Sequence, residues 1–290
     1  MPKLKILTDS TCDLPARYYD QFGIGVVPVP IRFGDAQFFD RVSIDLKGLF
    51  EKVAQLGILP MTSQPSVAQF AEIYRHWARE GYDRILSIHV TGALSGTLNS
   101  ARLAAKEVAQ ETEVIPFDSL SGSAAMGYMC VEAAKMAKEG FELNEILTRL
   151  EEARKRVRVF LTLATLRYAQ MSGRVGNLQS LIASVLNIQP IISLHEGTLS
   201  AGARVRTRQA ALDRLFQLTR EEAGKAAVNI AVIHAQAQDE AEQILARARE
   251  SLHCVDSFVG EISATVAVHF GPKVIGTVVY PCAVDAEVQR

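Results

Sequence analysis

The sequence predicts an α/β protein of two domains: an amino-terminal domain on a mostly parallel βαβ sheet, and a carboxy-terminal α/β domain. Three observations carry this reading. Short apolar runs alternate with amphipathic helical patterns through the first half, which is the signature of βαβ units. The pattern restarts at the strand-like run Val157 to Ala164, after two successive helical stretches. A chain of 290 residues also exceeds what one hydrophobic core usually organises. The expected domains are 1–156, with a small hairpin near 31–39, and 157–290.

The elements follow in order. Strands are expected at Leu4 to Thr8, Gly25 to Val29, Arg84 to Val90 and Val114 to Phe117. Gly34-Asp35 between apolar runs signals the hairpin, because such a pair takes the positive φ of a tight turn. After Pro65, Ser66 and Gln69 have capping-box spacing, Val67, Phe70, Tyr74 and Trp77 share one helical face, and Gly81 is placed to end the helix. Two more helices are expected over Ser123 to Lys138 and Leu143 to Arg156. The second half shows a hairpin signal at Glu196-Gly197 after Pro190 to Leu194, and a helix over Thr207 to Glu222. A strand over Val228 to His234, a helix over Asp239 to Leu252 and two further strands, one of them Val274 to Tyr280, complete it. The alternation is less regular here, so a sheet with helices on one face is expected.

Composition narrows the function. Hydrophobic residues make up 48% and charged residues 22%, enough for a core with an apolar surplus able to line a cavity. Lys and Arg total 31 against 32 Asp and Glu, a net charge of -1, so no global field points to nucleic acid. Cys12, Cys130, Cys254 and Cys282 lack CxxC spacing and read as reduced thiols of a cytoplasmic protein. No signal-length apolar segment follows MPKLKILTDS, and nothing approaches the roughly 18 apolar residues of a transmembrane segment.

Small polar segments interrupt the pattern, three of them just after expected strands, where open α/β sheets place their ligand crevice. They are Thr8 to Asp13, Thr62 to Ser66, Leu94 to Ser100 and Asp118 to Gly122. Each alone is what a helix N-cap also requires. Ser95-Gly96-Thr97 lacks the lysine of a phosphate-binding loop, and Ser95 stands one residue too late for a nucleophile elbow. A hydrolase using Ser95 with His269 is the alternative reading. Asp9, Asp13 and Asp118 could gather as metal carboxylates but lack metal-site spacing; Asp9 and Asp13 read as caps or backbone orienters, and no metal and no cofactor are expected. Two second-half segments, Met171 to Val175 and His269 to Lys273, set glycine beside a basic or imidazole donor.

Taken in order, these segments resemble the DegV family of bacterial fatty-acid-binding proteins. The resemblance runs nearly end to end. It rests on Asp9 to Leu14, Thr62-Ser63-Gln64-Pro65, Leu94 to Thr97 with Ser100-Ala101, Ser172-Gly173-Arg174, Arg206-Thr207-Arg208 and His269 to Pro272. It implies a DegV-like fold whose second domain holds the acyl tail of a long-chain fatty acid, with the carboxylate at the interdomain cleft. It implies a carrier without catalysis of its own, the lipid-binding subunit of a fatty acid kinase. The ATP-dependent kinase subunit would turn the bound lipid into acyl-phosphate for phospholipid synthesis. Thr62, Ser95 and His269 would contact the carboxylate with Arg174 beside them, and Ser10, Gly96 and Thr97 would support the loop. Arg206 is the candidate for docking the kinase. The family's histidine motif commonly reads His-Thr-Gly-Pro-Gly, whereas Phe270 and Lys273 stand here for the threonine and the last glycine. Apolar residues for a tail tunnel include Phe160, Leu161, Leu163, Leu166, Leu178, Leu181, Ile182, Val185, Leu186, Ile188, Ile191 and Ile192. Ordinary core packing demands the same residue types.

Overall fold

The computed structural model describes residues 3–174 and 188–282. Its first sheet is parallel, with strand order β2-β1-β6-β7. The strands are β1 (Leu4–Asp9), β2 (Gly25–Val27), β6 (Arg84–His89) and β7 (Glu113–Asp118), close to the expected runs. Neighbouring positions on one strand serve opposite faces, as strand geometry requires. Leu7 and Ile85 enter a core with α3 (Val67–Arg79) and α4 (Thr97–Glu107). Ile6 and Leu86 face the opposite way, into the core that holds α5 (Ser123–Glu139). The capping box of α3 is present: the Ser66 hydroxyl accepts from Gln69 N and the Gln69 side chain accepts from Ser66 N.

The expected hairpin is β3 (Pro30–Phe33) and β4 (Ala36–Phe39), turning at Gly34 with φ 57. A third strand, β5 (Met61–Thr62), adds to it in the order β4-β3-β5. Two residues are too few to show a period, so this strand is invisible in the sequence. The remaining helices of this half are α1 (Ala16–Phe22), α2 (Leu46–Leu56) and α6 (Leu143–Arg156), the last with the expected bounds.

The second sheet has six strands in the order β10-β9-β8-β13-β11-β12. They are β8 (Arg158–Thr162), β9 (Gln189–His195), β10 (Thr198–Val205), β11 (Val228–His234), β12 (Cys254–Glu261) and β13 (Ile275–Pro281). Among the described residues of this sheet only β11 and β12 pair in parallel, joined by a helical crossover. The β9–β10 turn is Glu196-Gly197, with φ 49 and 78. Among the described residues three helices accompany the sheet besides the short α7 (Arg167–Met171): α8 (Arg208–Ala223), α9 (Gln238–Ser251) and α10 (Ala264–Phe270).

Expecting helices on one face of this sheet was incorrect. Phe160, Ile230, Val232, Ile275 and Val279 pack on α8 and α9, while Val159, Leu161, Ala231, Ile233 and Val278 join the core shared with α5. Both faces are apolar, so both must be covered. The cover of the second face comes from the other half of the chain, which no local pattern reveals. Residues 123–131 of α5 are all buried, as befits a helix apolar on every side.

Candidate functional site

The parallel sheet reverses its strand order between β1 and β6, so the loops leaving their carboxyl ends splay apart. A cavity of about 1030 Å³, its open mouth included, lies over this point and against the second sheet. Thr11, Val90, Leu94, Ser95, Gly96, Gly122 and Ser123 reach it from the loops after β1, β6 and β7. Val159, Leu161, Leu194, Leu199, Ile233 and Val274 form an apolar wall from the second half. Thr62 arrives on β5, and Thr265, Val266, His269 and Phe270 on α10.

Four residues singled out in the sequence therefore meet. Thr62 Oγ1 and His269 Nε2 are 3.1 Å apart across a separation of 207 residues. Arg174 donates from Nε to Leu94 O at 3.4 Å and from Nη1 to Ser172 O at 2.7 Å, which holds its guanidinium beside the Ser95 loop. Burial, reinforced by the Arg174 charge, pushes His269 down to about 4, so its ring is neutral at pH 7. Among the described residues its Nδ1 is buried without a hydrogen-bond partner. Ser95 Oγ pairs with Thr97 Oγ1 at 2.9 Å and accepts from Thr97 N at 3.2 Å. The serine thus serves the first turn of α4 as well as lining the cavity. The Ser95 loop passes close to the segment that carries Thr62: a Cβ on Gly96 would stand 3.0 Å from the Gln64 side chain.

Ser10 and Thr97 stand behind the lining. Ser10 is fully buried, donates to Asp40 Oδ2 at 2.8 Å and accepts from Val29 N at 3.1 Å. Asp9 and Asp13 orient backbone groups, as expected. Asp118 accepts from Leu120 N at 2.9 Å, and among the described residues no acidic, histidine and cysteine groups gather into a metal site. Asp9 accepts from Thr11 N at 3.1 Å, Val90 N at 3.1 Å and His89 Nδ1 at 3.0 Å. Burial opposes charge on Asp9, yet the bonds from His89, Thr11 and Val90 outweigh it and hold the carboxyl below its usual range.

Sequence reasoning missed that pairing and its continuation. His89 Nε2 lies 2.7 Å from Ser87 Oγ, which lies 2.9 Å from the Tyr74 hydroxyl. Asp9, Ser87, His89 and Tyr74 have no exposed surface, so this Asp-His-Ser row is a scaffold behind Thr11 and Val90. Its only signal in the sequence was Ser87 and His89 at a spacing of two, on one face of a strand. Of the apolar candidates, Leu161 lines the cavity, whereas Phe160 faces α8 and α9, and Leu163 and Ile192 sit in the shared core. Leu178, Leu181, Ile182, Val185, Leu186 and the nearby Val175 lie outside the described residues. Phe270 lines the cavity, and Lys273 adopts φ 59, the left-handed region a glycine takes most readily.

Residues 3–282 match the sequence model of a family described as "Uncharacterised protein, DegV family". A DegV domain-containing protein of Halalkalibacterium halodurans is 33% identical over 277 residues, which cover 95% of this chain and 98% of that protein. A solved structure from Thermus thermophilus, described as fatty acid binding of a DegV family protein, superposes with TM-score 0.90 at 32% identity. It covers 97% of this chain and 100% of its own. The crystal structure of DegV from Bacillus subtilis, described as a fatty acid binding protein, gives 0.89 at 29% identity over 97% and 100%.

Proposed function

This chain belongs to the DegV family, and from that premise and the cleft's geometry we propose that it binds one long-chain fatty acid. The carboxylate sits among Thr62, Ser95, His269 and Arg174, between domains 1–156 and 157–290, and the tail lies on the apolar wall of the second domain. The observation that carries the reading is the cavity's division of labour. Its imidazole and the Thr62 hydroxyl meet at 3.1 Å, with Ser95 and Arg174 in the same lining, while among the described residues β8 to β11 contribute only apolar side chains.

Burial of the tail at about 0.8 kcal/mol per methylene supplies on the order of 10 kcal/mol before binding costs. A hydrogen bond to the carboxylate adds about 1.5 to 3 kcal/mol, which orients the lipid without holding it alone. Neutral donors also leave the carboxylate open to phosphorylation, which suits a carrier presenting its lipid to an ATP-dependent fatty acid kinase. The hydrolase alternative finds less support. His269 bonds Thr62 and Ser95 bonds Thr97, and a ring pushed down to about 4 makes a weak base at neutral pH.

Organic extraction of the purified protein followed by mass spectrometry is expected to yield a stoichiometric fatty acid. Ser95→Ala is expected to weaken binding on the order of tenfold, the loss of one hydrogen bond to a charged group. An empty protein that hydrolyses acyl esters would sink the carrier reading. For docking, Arg206 is exposed just before α8, whereas Arg208 is engaged by Glu240 at 2.7 and 3.1 Å. Arg206→Glu is expected to lower kinase turnover while leaving lipid affinity unchanged. Equal turnover with wild type would remove Arg206 from the docking surface.

A further inference from the structure

The helix that carries His269 and Phe270 is fastened at its start by two carboxylates from the other domain. Ser263 N donates to Asp13 Oδ1 at 2.7 Å, across 250 residues of sequence. Ala264 N and Thr265 N donate to the two oxygens of Asp40 at 3.2 and 3.4 Å. Val266 N is taken by the Ser263 hydroxyl at 3.3 Å. These are amide groups that no helix of this length can satisfy internally. The helix α10 has 7 residues, so whatever holds its first turn also sets the place of its last.

We propose that Asp13 and Asp40 are positioning residues for the lipid carboxylate: as anions they fasten the first turn of α10 and so set where His269 and Phe270 stand in the cleft. This rests on the lipid reading of that cleft. Around Asp13 stand the Arg41 guanidinium at 3.3 Å, the Ser123 hydroxyl at 2.6 Å, Asp40, and Tyr19 and Cys12. Around Asp40 stand Arg41 and the Ser10 hydroxyl. Burial pushes Asp13 up to about 6 against the pull of Arg41, Ser123 and Ser263 N, and burial pushes Asp40 up as well.

Below about pH 6 the Asp13 carboxyl takes a proton, the Ser123 hydroxyl can turn to accept it, and the oxygen that holds Ser263 N becomes a neutral acceptor, so that bond weakens. The sign of the linkage separates this event from unfolding. The folded value of about 6 lies above the ordinary 3.8, so the folded chain binds this proton more tightly and protonation adds to stability. The expected change is a loosened α10 in a chain that stays folded.

The test loads wild type and Asp13→Asn with palmitate and follows its release to phosphatidylcholine vesicles, alongside amide exchange at Ser263 to Thr265 and thermal melting. Wild-type release is expected to quicken roughly tenfold as the pH falls from about 7.5 to about 5.5, since a neutral acceptor bonds about half as strongly as an anion. Its midpoint is expected near 6. Asp13→Asn is expected to release fast at every pH, to exchange these amides faster than wild type at neutral pH, and to melt no lower. Asp40→Asn is expected to quicken release in the same way. Release rates and amide exchange equal to wild type for Asp13→Asn would overturn the proposal while leaving the lipid reading intact. Failure of both proteins to take up palmitate would instead defeat the lipid reading, and the positioning role with it.

Discussion

Leu199→Trp is expected to abolish palmitate uptake while the protein stays folded. Leu199 lies on β10, second residue after the Glu196-Gly197 turn, and its side chain is 3% exposed yet faces the cavity. An indole there is larger than the leucine it replaces and takes up cavity space, so the cost to folding is that of overpacking, about 1 to 3 kcal/mol. The cost to binding is larger. Each methylene kept from the wall forfeits about 0.8 kcal/mol, so displacing about six loses on the order of 5 kcal/mol, a factor of several thousand in affinity. Ser95→Ala removes one hydrogen bond and moves affinity far less, which is the contrast that separates tail from head group. Calorimetric titration with palmitate and a melting curve check both parts. A folded Leu199→Trp protein that binds with wild-type affinity would show that the tail lies elsewhere.

How much of this was legible depends on how local each cause is. Helix α3 announces itself because Ser66 and Gln69 satisfy its first amides within one turn, and α6 because its apolar residues repeat over 14 positions. Both tight hairpins are written in pairs, Gly34-Asp35 and Glu196-Gly197. No period marks β5 or α10, which have 2 and 7 residues, although Ser263 and Gly271 cap the latter, and those two elements carry Thr62 and His269. The pair was found only as members of weak motifs taken in order; the folded chain brings them to 3.1 Å. The apolar wall of the cavity was legible in kind and not in detail. Successive residues of a strand serve opposite faces, so Val159 and Leu161 line the cavity while Phe160 between them packs on α8 and α9. Composition cannot show which of two apolar faces meets a helix and which meets empty space.

Gly271→Ala is expected to cost about 3 to 4 kcal/mol, the sum of a strained backbone and a collision. Gly271 ends α10 with φ 77 and ψ -173, a region that residues with a Cβ scarcely enter. An added Cβ would also stand 2.5 Å from Cδ2 of Tyr168, whose ring on α7 presses against this turn. Melting is expected to fall by roughly 10 °C for a chain of this size, and lipid uptake to fall with it, because the residue two positions earlier is His269. A loss of only a few tenths of a kcal/mol would show that α7 yields freely, and that the ring does not fix the end of α10. The contrast lies two residues further on. Lys273 has φ 59, within the left-handed region that side chains tolerate at a cost of about 1 kcal/mol, and its amide still donates to Ala235 O at 2.9 Å. Positions 271 and 273 are therefore not equivalent in what they ask of a residue. Glycine at 271 is demanded by both backbone and neighbour; at 273 it is only favoured by backbone, and Lys273 keeps the turn there.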